Sequence, residues 1–122
     1  MPLLNGLEHL ASRRARYGDG HVVAATIRVE STRAAAGRIE HTSPFAAIEL
    51  ATDAIPRPHL DDLAALLGDA GFDTKVRTDE NPMLWDKISF LAPMALLTTR
   101  FGIPLGEVCD RRWDHLRTKV HR

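Results

Sequence analysis

The sequence contains few side chains whose type and spacing fit a known chemistry. Its six histidines include no pair four residues apart with a third ligand and no HExxH pattern, so no metal site is expected. Gly18-Asp19-Gly20 begins like a dinucleotide-binding loop, but it precedes a predicted strand, and Val23 stands where the third glycine belongs. Ser43 and Ser89 lack the GxSxG setting of an esterase nucleophile. The residue left to consider is Lys87.

Lys87 falls in the second turn of a predicted helix, beside an apolar stripe that includes Leu84 and Leu91. Two interpretations of this position are open. A snorkelling surface lysine would lay its stem over apolar surface and keep its ammonium in water. A general acid would instead hold its ammonium in a cavity, next to a reacting atom. Spacing alone favours the snorkelling lysine.

The first half of the chain predicts one helix followed by strands. Apolar residues at helical spacing predict a helix over residues 7–16, and the β-branched run His21–Glu30 predicts a strand whose first half is buried on both faces. Residues 38–42 and 45–50 alternate on either side of Ser43-Pro44, which predicts an antiparallel pair. Pro44 indicates an edge or a bulge at this point.

The second half predicts a helix, a short strand and two further helices. The first of these helices ends near Gly71 and carries a stripe formed by Leu60, Leu63, Leu66 and Leu67. Residues 72–78 alternate as a short strand. Asn81 then predicts an N-cap, with Pro82 as the first helical residue and Pro93 as a kink further along the same helix.

Composition and charge limit the classes of function. The chain has 122 residues, 44% of them apolar, and its sixteen basic and sixteen acidic side chains cancel. This suits one small globular domain of the α/β class, and the absence of a basic surplus argues against a nucleic acid or an anionic membrane as a partner.

The longest uncharged apolar stretch, residues 88–99, is shorter than the roughly 20 residues that span a bilayer. The start of the chain does not look like a signal peptide, and Cys109 has no second cysteine to pair with, so a cytoplasmic location is expected.

The last segment carries an apolar stripe that needs a partner. Trp113, Leu116 and Val120 recur at helical spacing close to the last residue of the sequence. The stripe must pack on an earlier element or on another chain. One open alternative is therefore a non-catalytic α/β interaction module that dimerises through its C-terminal helix.

Four stretches, in order and with matching spacers, carry a further signal. They are Leu3-Leu4-Asn5-Gly6, the strand and hairpin sequence Val29–Arg33 with Gly37–Phe45, the helix opening Leu84-Trp85-Asp86-Lys87-Ile88, and Leu97-Thr98-Thr99 with Pro104–Glu107. Together they resemble the central part of the ketopantoate reductase (2-dehydropantoate 2-reductase) family. The resemblance implies a partial Rossmann-like domain over residues 1–80. It also implies that residues 81–122 form an interdomain helix and the start of a helical substrate and dimerisation domain.

The resemblance also implies a reaction and a set of site residues. The family, which acts in pantothenate biosynthesis, reduces a 2-keto acid with NADPH while a lysine gives a proton to the keto oxygen. That lysine matches Lys87, and burial lowers the pKa of a lysine ammonium, which suits a proton donor. Asn5 matches a residue that contacts cofactor and substrate, and Ala34 lies in a backbone segment expected beside the nicotinamide. The resemblance therefore favours the general acid over the snorkelling lysine.

Departures from the family pattern qualify these expectations. Leu91 and Ala95 stand where the family presents asparagines to its substrate, and Leu105 replaces another polar contact, which implies either a more apolar keto acid or no substrate at all. The 122 residues contain no GxGxxG loop and none of the family's later helices. The chain alone is therefore expected to be inactive, to bind NADPH poorly, and to work as a homodimer or with a complementary segment.

Overall fold

A computed structural model, which describes residues 1–110, shows alternating helices and strands. The elements are α1 (His9–Tyr17), β1 (Ala24–Ala35), β2 (Arg38–Ala51), α2 (Arg57–Asp69), β3 (Asp73–Val76) and α3 (Glu80–Phe101), with a 3-10 turn at Asp19–His21. Residues 105–110 are also helical. The chain divides into two compact units, one comprising Met1–Asp86 and one beginning at Lys87. The division falls inside α3, a few residues beyond the boundary expected between residues 80 and 81.

The three strands form one mixed sheet in the order β1-β2-β3. β1 and β2 are antiparallel and are joined by a tight turn in which Gly37 adopts a φ of 75°. β2 and β3 are parallel, and α2 supplies the crossover that a parallel pair requires. The expected α/β class is confirmed.

Alternation along β1 and β2 builds two separate cores in the first unit. On one face of the sheet, Ala25, Ile48 and Leu50 pack with Leu60 of α2. On the other face, a second cluster joins α1, the sheet and the beginning of α3, and it consists of Leu10, Val22, Ala24, Ala51, Met83 and Leu84. The expectation that the first half of β1 is buried on both faces is confirmed. The first turns of α3 pack in this second core through Met83 and Leu84.

The expected antiparallel pair within residues 38–50 is wrong. β2 runs from Arg38 to Ala51 as one strand, and its partner is β1. The pairing jumps from Val29 opposite Ala46 to Ser31 opposite His41, so Ser43-Pro44 forms the bulge that Pro44 indicated. The Ser43 hydroxyl accepts a hydrogen bond from the Glu30 N–H at 3.0 Å, which replaces a ladder bond at the interruption.

The start of α3 and the bounds of β1 also differ from the expected ones. α3 begins at Glu80, so Pro82 is its third residue and Asn81 lies inside the first turn. Proline fits anywhere in a first turn because those N–H groups have no acceptor within the helix, so the Asn81-Pro82 pair locates the turn but not its first residue. His21 belongs to the 3-10 turn before β1, which extends to Ala35.

Two further expectations concern the end of the chain. Pro93 lies inside α3 as expected, and the kink there stays a prediction. The stripe formed by Trp113, Leu116 and Val120 lies outside the described residues. Within residues 1–110, no helix combines the length and the apolar character needed to cross a membrane.

Candidate functional site

Lys87 is the chemically distinctive residue of α3. Its side chain is only 8% exposed, whereas a snorkelling lysine keeps its ammonium in water. Met83 and Leu84, four and three residues earlier on the same helix, are also buried, at 0% and 6% exposure. A buried primary amine can donate a proton from Nζ to a ligand oxygen, which is the chemistry expected of a general acid.

The two residues expected to contact a cofactor lie far apart on the first unit. Asn5 is exposed in a bend before α1, and Leu7, two residues later, packs on the cluster that contains Ala24. Ala34 is exposed near the other end of β1, ten residues beyond Ala24, or about 33 Å at the usual strand rise. Nothing tests their roles, which stay predictions along with that of Lys87.

An ion pair attaches the start of α3 to α1. Both terminal nitrogens of Arg14 donate to the Glu80 carboxylate, at 2.8 and 2.6 Å. The hydrogen bond to Glu80 raises the pKa of Arg14, against an opposing effect of burial. Sequence reasoning missed this pair because its members are 66 positions apart and no local pattern connects them.

A second arginine attaches the last residue of the first unit to the sheet. Arg77 donates to Asp86 at 3.0 Å and to the buried carboxylate of Glu49 at 3.3 Å. The Asp86 and Glu49 hydrogen bonds raise the pKa of Arg77. The other Glu49 oxygen lies 3.4 Å from Arg28, an ion pair that is not a hydrogen bond. This charge cluster sits immediately before Lys87 in the sequence and fixes the second turn of α3 to β2.

A cleft of about 480 Å³ lies between α1 and the first turns of α3. Its lining mixes apolar side chains with the Arg14 ion pair and includes Leu7, Leu10, Arg14, Glu80, Leu84 and Trp85. The two terminal nitrogens of Arg14 are paired with Glu80, whereas its Nε is buried without a hydrogen-bond partner. Asp19 and Asn81 also line the cleft, so its surface is partly polar. Its walls belong to the first unit.

Other candidate chemistry is weak in the described part of the chain. His41 Nε2 lies 2.9 Å from the Ser43 hydroxyl, but that hydroxyl donates its proton to the Phe45 carbonyl at 2.6 Å. The pair therefore stabilises the bulge and does not form an activated nucleophile. Among residues 1–110, no three His, Cys, Asp or Glu side chains converge in a way that could hold a metal ion.

Comparison with solved structures identifies the fold. The 2-dehydropantoate 2-reductase of Porphyromonas gingivalis W83 matches with a TM-score of 0.74 and 22% identity, over 89% of this chain and 38% of that protein. The enzyme of the same name from Geobacter metallireducens GS-15 matches with a TM-score of 0.74 and 23% identity, over 79% of this chain and 32% of that protein. The 2-dehydropantoate 2-reductase of Methylococcus capsulatus matches with a TM-score of 0.57 and 22% identity, over 80% of this chain and 36% of that protein.

This chain has the fold of part of a 2-dehydropantoate 2-reductase. The resemblance noted in the sequence is thus confirmed at the level of the fold, and the three-stranded sheet matches part of the Rossmann-like domain of these reductases. The chain spans about a third of the length of the reductases it matches. No protein-family model matches the sequence, and no curated protein matches it either.

The reductase fold leaves one cofactor requirement unmet in these residues. A dinucleotide pyrophosphate is bound by a glycine-rich loop between the end of a strand and the start of a helix. The described chain has two such connections, residues 52–56 before α2 and residues 77–79 before α3, and neither contains a glycine. The described residues therefore do not fit the pyrophosphate of NADPH.

Proposed function

We propose that the chain is part of an NADPH-dependent reductase of 2-keto acids of the 2-dehydropantoate type, with Lys87 as its proton donor. The burial of Lys87 in a chain with the reductase fold carries the proposal. In such a reduction NADPH, when bound, would supply the hydride for the carbonyl carbon, and a proton must reach the carbonyl oxygen. The Lys87 ammonium hydrogen-bonds that oxygen and transfers the proton as charge develops on it.

The surroundings of Lys87 in the sequence support a positioned donor. Two arginine clusters, at Arg14 and Arg77, hold the part of α3 that precedes Lys87, through Glu80 and Asp86. Catalytic groups must be held within a fraction of an ångström, and a packed helix does this better than a loop. Asn5 and Ala34 are proposed as cofactor contacts on the resemblance alone.

We further propose that the 122 residues by themselves bind NADPH weakly and do not complete the reaction. The glycine-free connections before α2 and α3 support this. A homodimer or a complementary segment would have to supply the missing contacts. The alternative of a dimerising module depends on Trp113, Leu116 and Val120, which lie outside the described residues, and no observation favours it. The exposed, unpaired Cys109 supports a reducing compartment such as the cytoplasm.

Binding of a 2-keto acid tests the role of Lys87 without requiring turnover. Saturable binding of 2-dehydropantoate, followed by calorimetry or ligand-observed NMR, is expected for the wild-type chain. Lys87→Met should weaken it by about tenfold or more, because a hydrogen bond to a charged donor is lost. Lys75→Met, which removes an exposed lysine of β3, is the matched control and should bind like wild type. Equal affinity of the two variants would contradict the proposal.

Fluorescence titration with NADPH tests the proposal that the 122 residues by themselves bind NADPH weakly and do not complete the reaction. No saturable change is expected for the chain alone, and mixing chain, NADPH and 2-dehydropantoate should give no consumption of NADPH above background. Consumption that disappears in Lys87→Met would support the assigned reaction and overturn the claim that these residues are insufficient.

A further inference from the structure

The part of α3 that follows Lys87 is unusually poor in hydrogen-bonding side chains. No charged residue occurs between Lys87 and Arg100. At 100° per residue, Lys87, Leu91, Met94 and Thr98 share one helix face, and the last three are half-buried. Ser89 is exposed on another side of the helix.

The hydroxyl of Thr98 does not change the character of this face. It donates to the Met94 carbonyl at 2.8 Å, so its single proton is already used within the helix. It also lies eleven residues beyond Lys87, about 16 Å along the helix axis. Leu91 and Met94 lie between them, about 6 and 10 Å from Lys87 along the same axis. A small ligand held at Lys87 therefore meets only apolar side chains on this face.

We propose that the keto acid bound at Lys87 has a plain aliphatic side chain, which packs on Leu91 and Met94. The proposal rests on the function proposed above and specifies its substrate class. Lys87 holds the oxygen end of the ligand, and the helix face buries the hydrocarbon end. A hydroxyl on that side chain would give up its hydrogen bonds to water and gain none from this face, which weakens binding.

A pair of ligands isolates this effect. Trimethylpyruvate and 2-dehydropantoate differ only in that one methyl group of the former carries a hydroxyl in the latter. We expect the wild-type chain to bind trimethylpyruvate about tenfold more tightly, measured by calorimetry or ligand-observed NMR. Equal affinity, or tighter binding of 2-dehydropantoate, would overturn the substrate assignment.

Substitutions on the face of α3 that carries Leu91 and Met94 show whether this face causes the preference for trimethylpyruvate over 2-dehydropantoate. Leu91→Asn should remove or reverse it by offering the hydroxyl a partner, and Met94→Gln, a change of similar volume, provides the same test if Leu91→Asn does not fold. Leu96→Asn, at a position 71% exposed on the opposite side of α3, is the control and should keep the wild-type preference. A preference unchanged in both face variants would contradict the role given to this face.

The outcomes separate this inference from the function on which it rests. If Lys87→Met leaves the binding of both keto acids unchanged, the proposed function fails. If both acids need Lys87 but bind equally well, only the aliphatic substrate class fails.

Discussion

Arg14 and Glu80 show how two side chains can fix the first turn of a helix to a distant part of the chain. Their side chains are 23% and 12% exposed, so the pair is partly withdrawn from water. The two parallel hydrogen bonds are geometrically specific, since a planar guanidinium matches both carboxylate oxygens. Because the pKa of Arg14 is raised, the pair would lose its cation only above the usual titration range of arginine, so it persists at every pH near neutrality.

Removing Arg14 should therefore cost stability. Arg14→Ala leaves the Glu80 carboxylate largely buried without its partner, and we expect a loss of about 1–3 kcal/mol in the free energy of unfolding. Urea denaturation followed by circular dichroism measures it. Arg57→Ala is the control: its pair with Asp61 is an exposed i,i+4 bridge, with both side chains over half exposed, and should contribute about 0.5 kcal/mol or less. Equal losses in the two variants would show that the Arg14 pair has no special role.

At the scale of an element, the end of α2 is set by its backbone. Gly71 has a φ of 94°, its N–H bonds the Gly68 carbonyl at 2.9 Å, and the Phe72 N–H bonds the Leu67 carbonyl at 3.1 Å. This pattern is a Schellman motif, and Phe72 and Leu67 also pack against the same core, as the motif favours. The reversal directs the chain into β3.

Two glycine substitutions in this element should have opposite effects. Gly71→Ala forces a side chain into a positive-φ conformation and should destabilise the fold by about 1–2 kcal/mol. Gly68→Ala, within the same helix and with open space around the new methyl group, should stabilise it by up to about 1 kcal/mol. Thermal unfolding of both variants checks the contrast, and a lower melting temperature for Gly68→Ala would contradict it.

The sequence predicted elements better than their pairing. Helical spacing and the position of Gly71 located α1 and α2 because those signals are local. The Ser43-Pro44 interruption was expected to separate two paired strands at an edge or a bulge. Only the structure shows one continuous strand there, with the Ser43 hydroxyl accepting a hydrogen bond from the Glu30 N–H of β1. Lys87 was found through a motif. Arg14 and Glu80, which hold the start of its helix, are 66 positions apart, so no local pattern could reveal that pair. Arg77 contacts Asp86 nine positions away and Glu49 28 positions away, which matches no helical or strand spacing.

At the scale of the whole molecule, apolar surface is unevenly distributed. On the second unit, four apolar side chains that are between 41% and 71% exposed lie along about three turns of α3: Phe90, Leu96, Leu97 and Phe101. Leu66 of α2, at 67%, is a comparable exposed side chain on the first unit. Clustered apolar surface of this kind marks association or ligand contact, whereas scattered residues are ordinary.

This distribution predicts how the 122-residue chain behaves in solution. Phe90→Gln combined with Leu96→Gln should reduce the binding of a hydrophobic dye and the tendency to self-associate, with little loss of stability because both side chains are largely exposed. Dye fluorescence and sedimentation velocity measure the two effects. Leu66→Gln should change neither, and an equal response to it would show that clustering on α3 is unimportant.

The bulge at Ser43-Pro44 divides the β1-β2 hairpin into two parts with different tolerances. Residues 24–29 pair with residues 46–51 among buried neighbours, whereas residues 30–42 are exposed throughout. Because the ladder is interrupted between them, a change of length near Gly37 need not shift the register of the buried part. The tip of this ribbon is thus a permissive place to graft a peptide tag, an epitope or a spectroscopic label while the sheet beneath keeps its pairing.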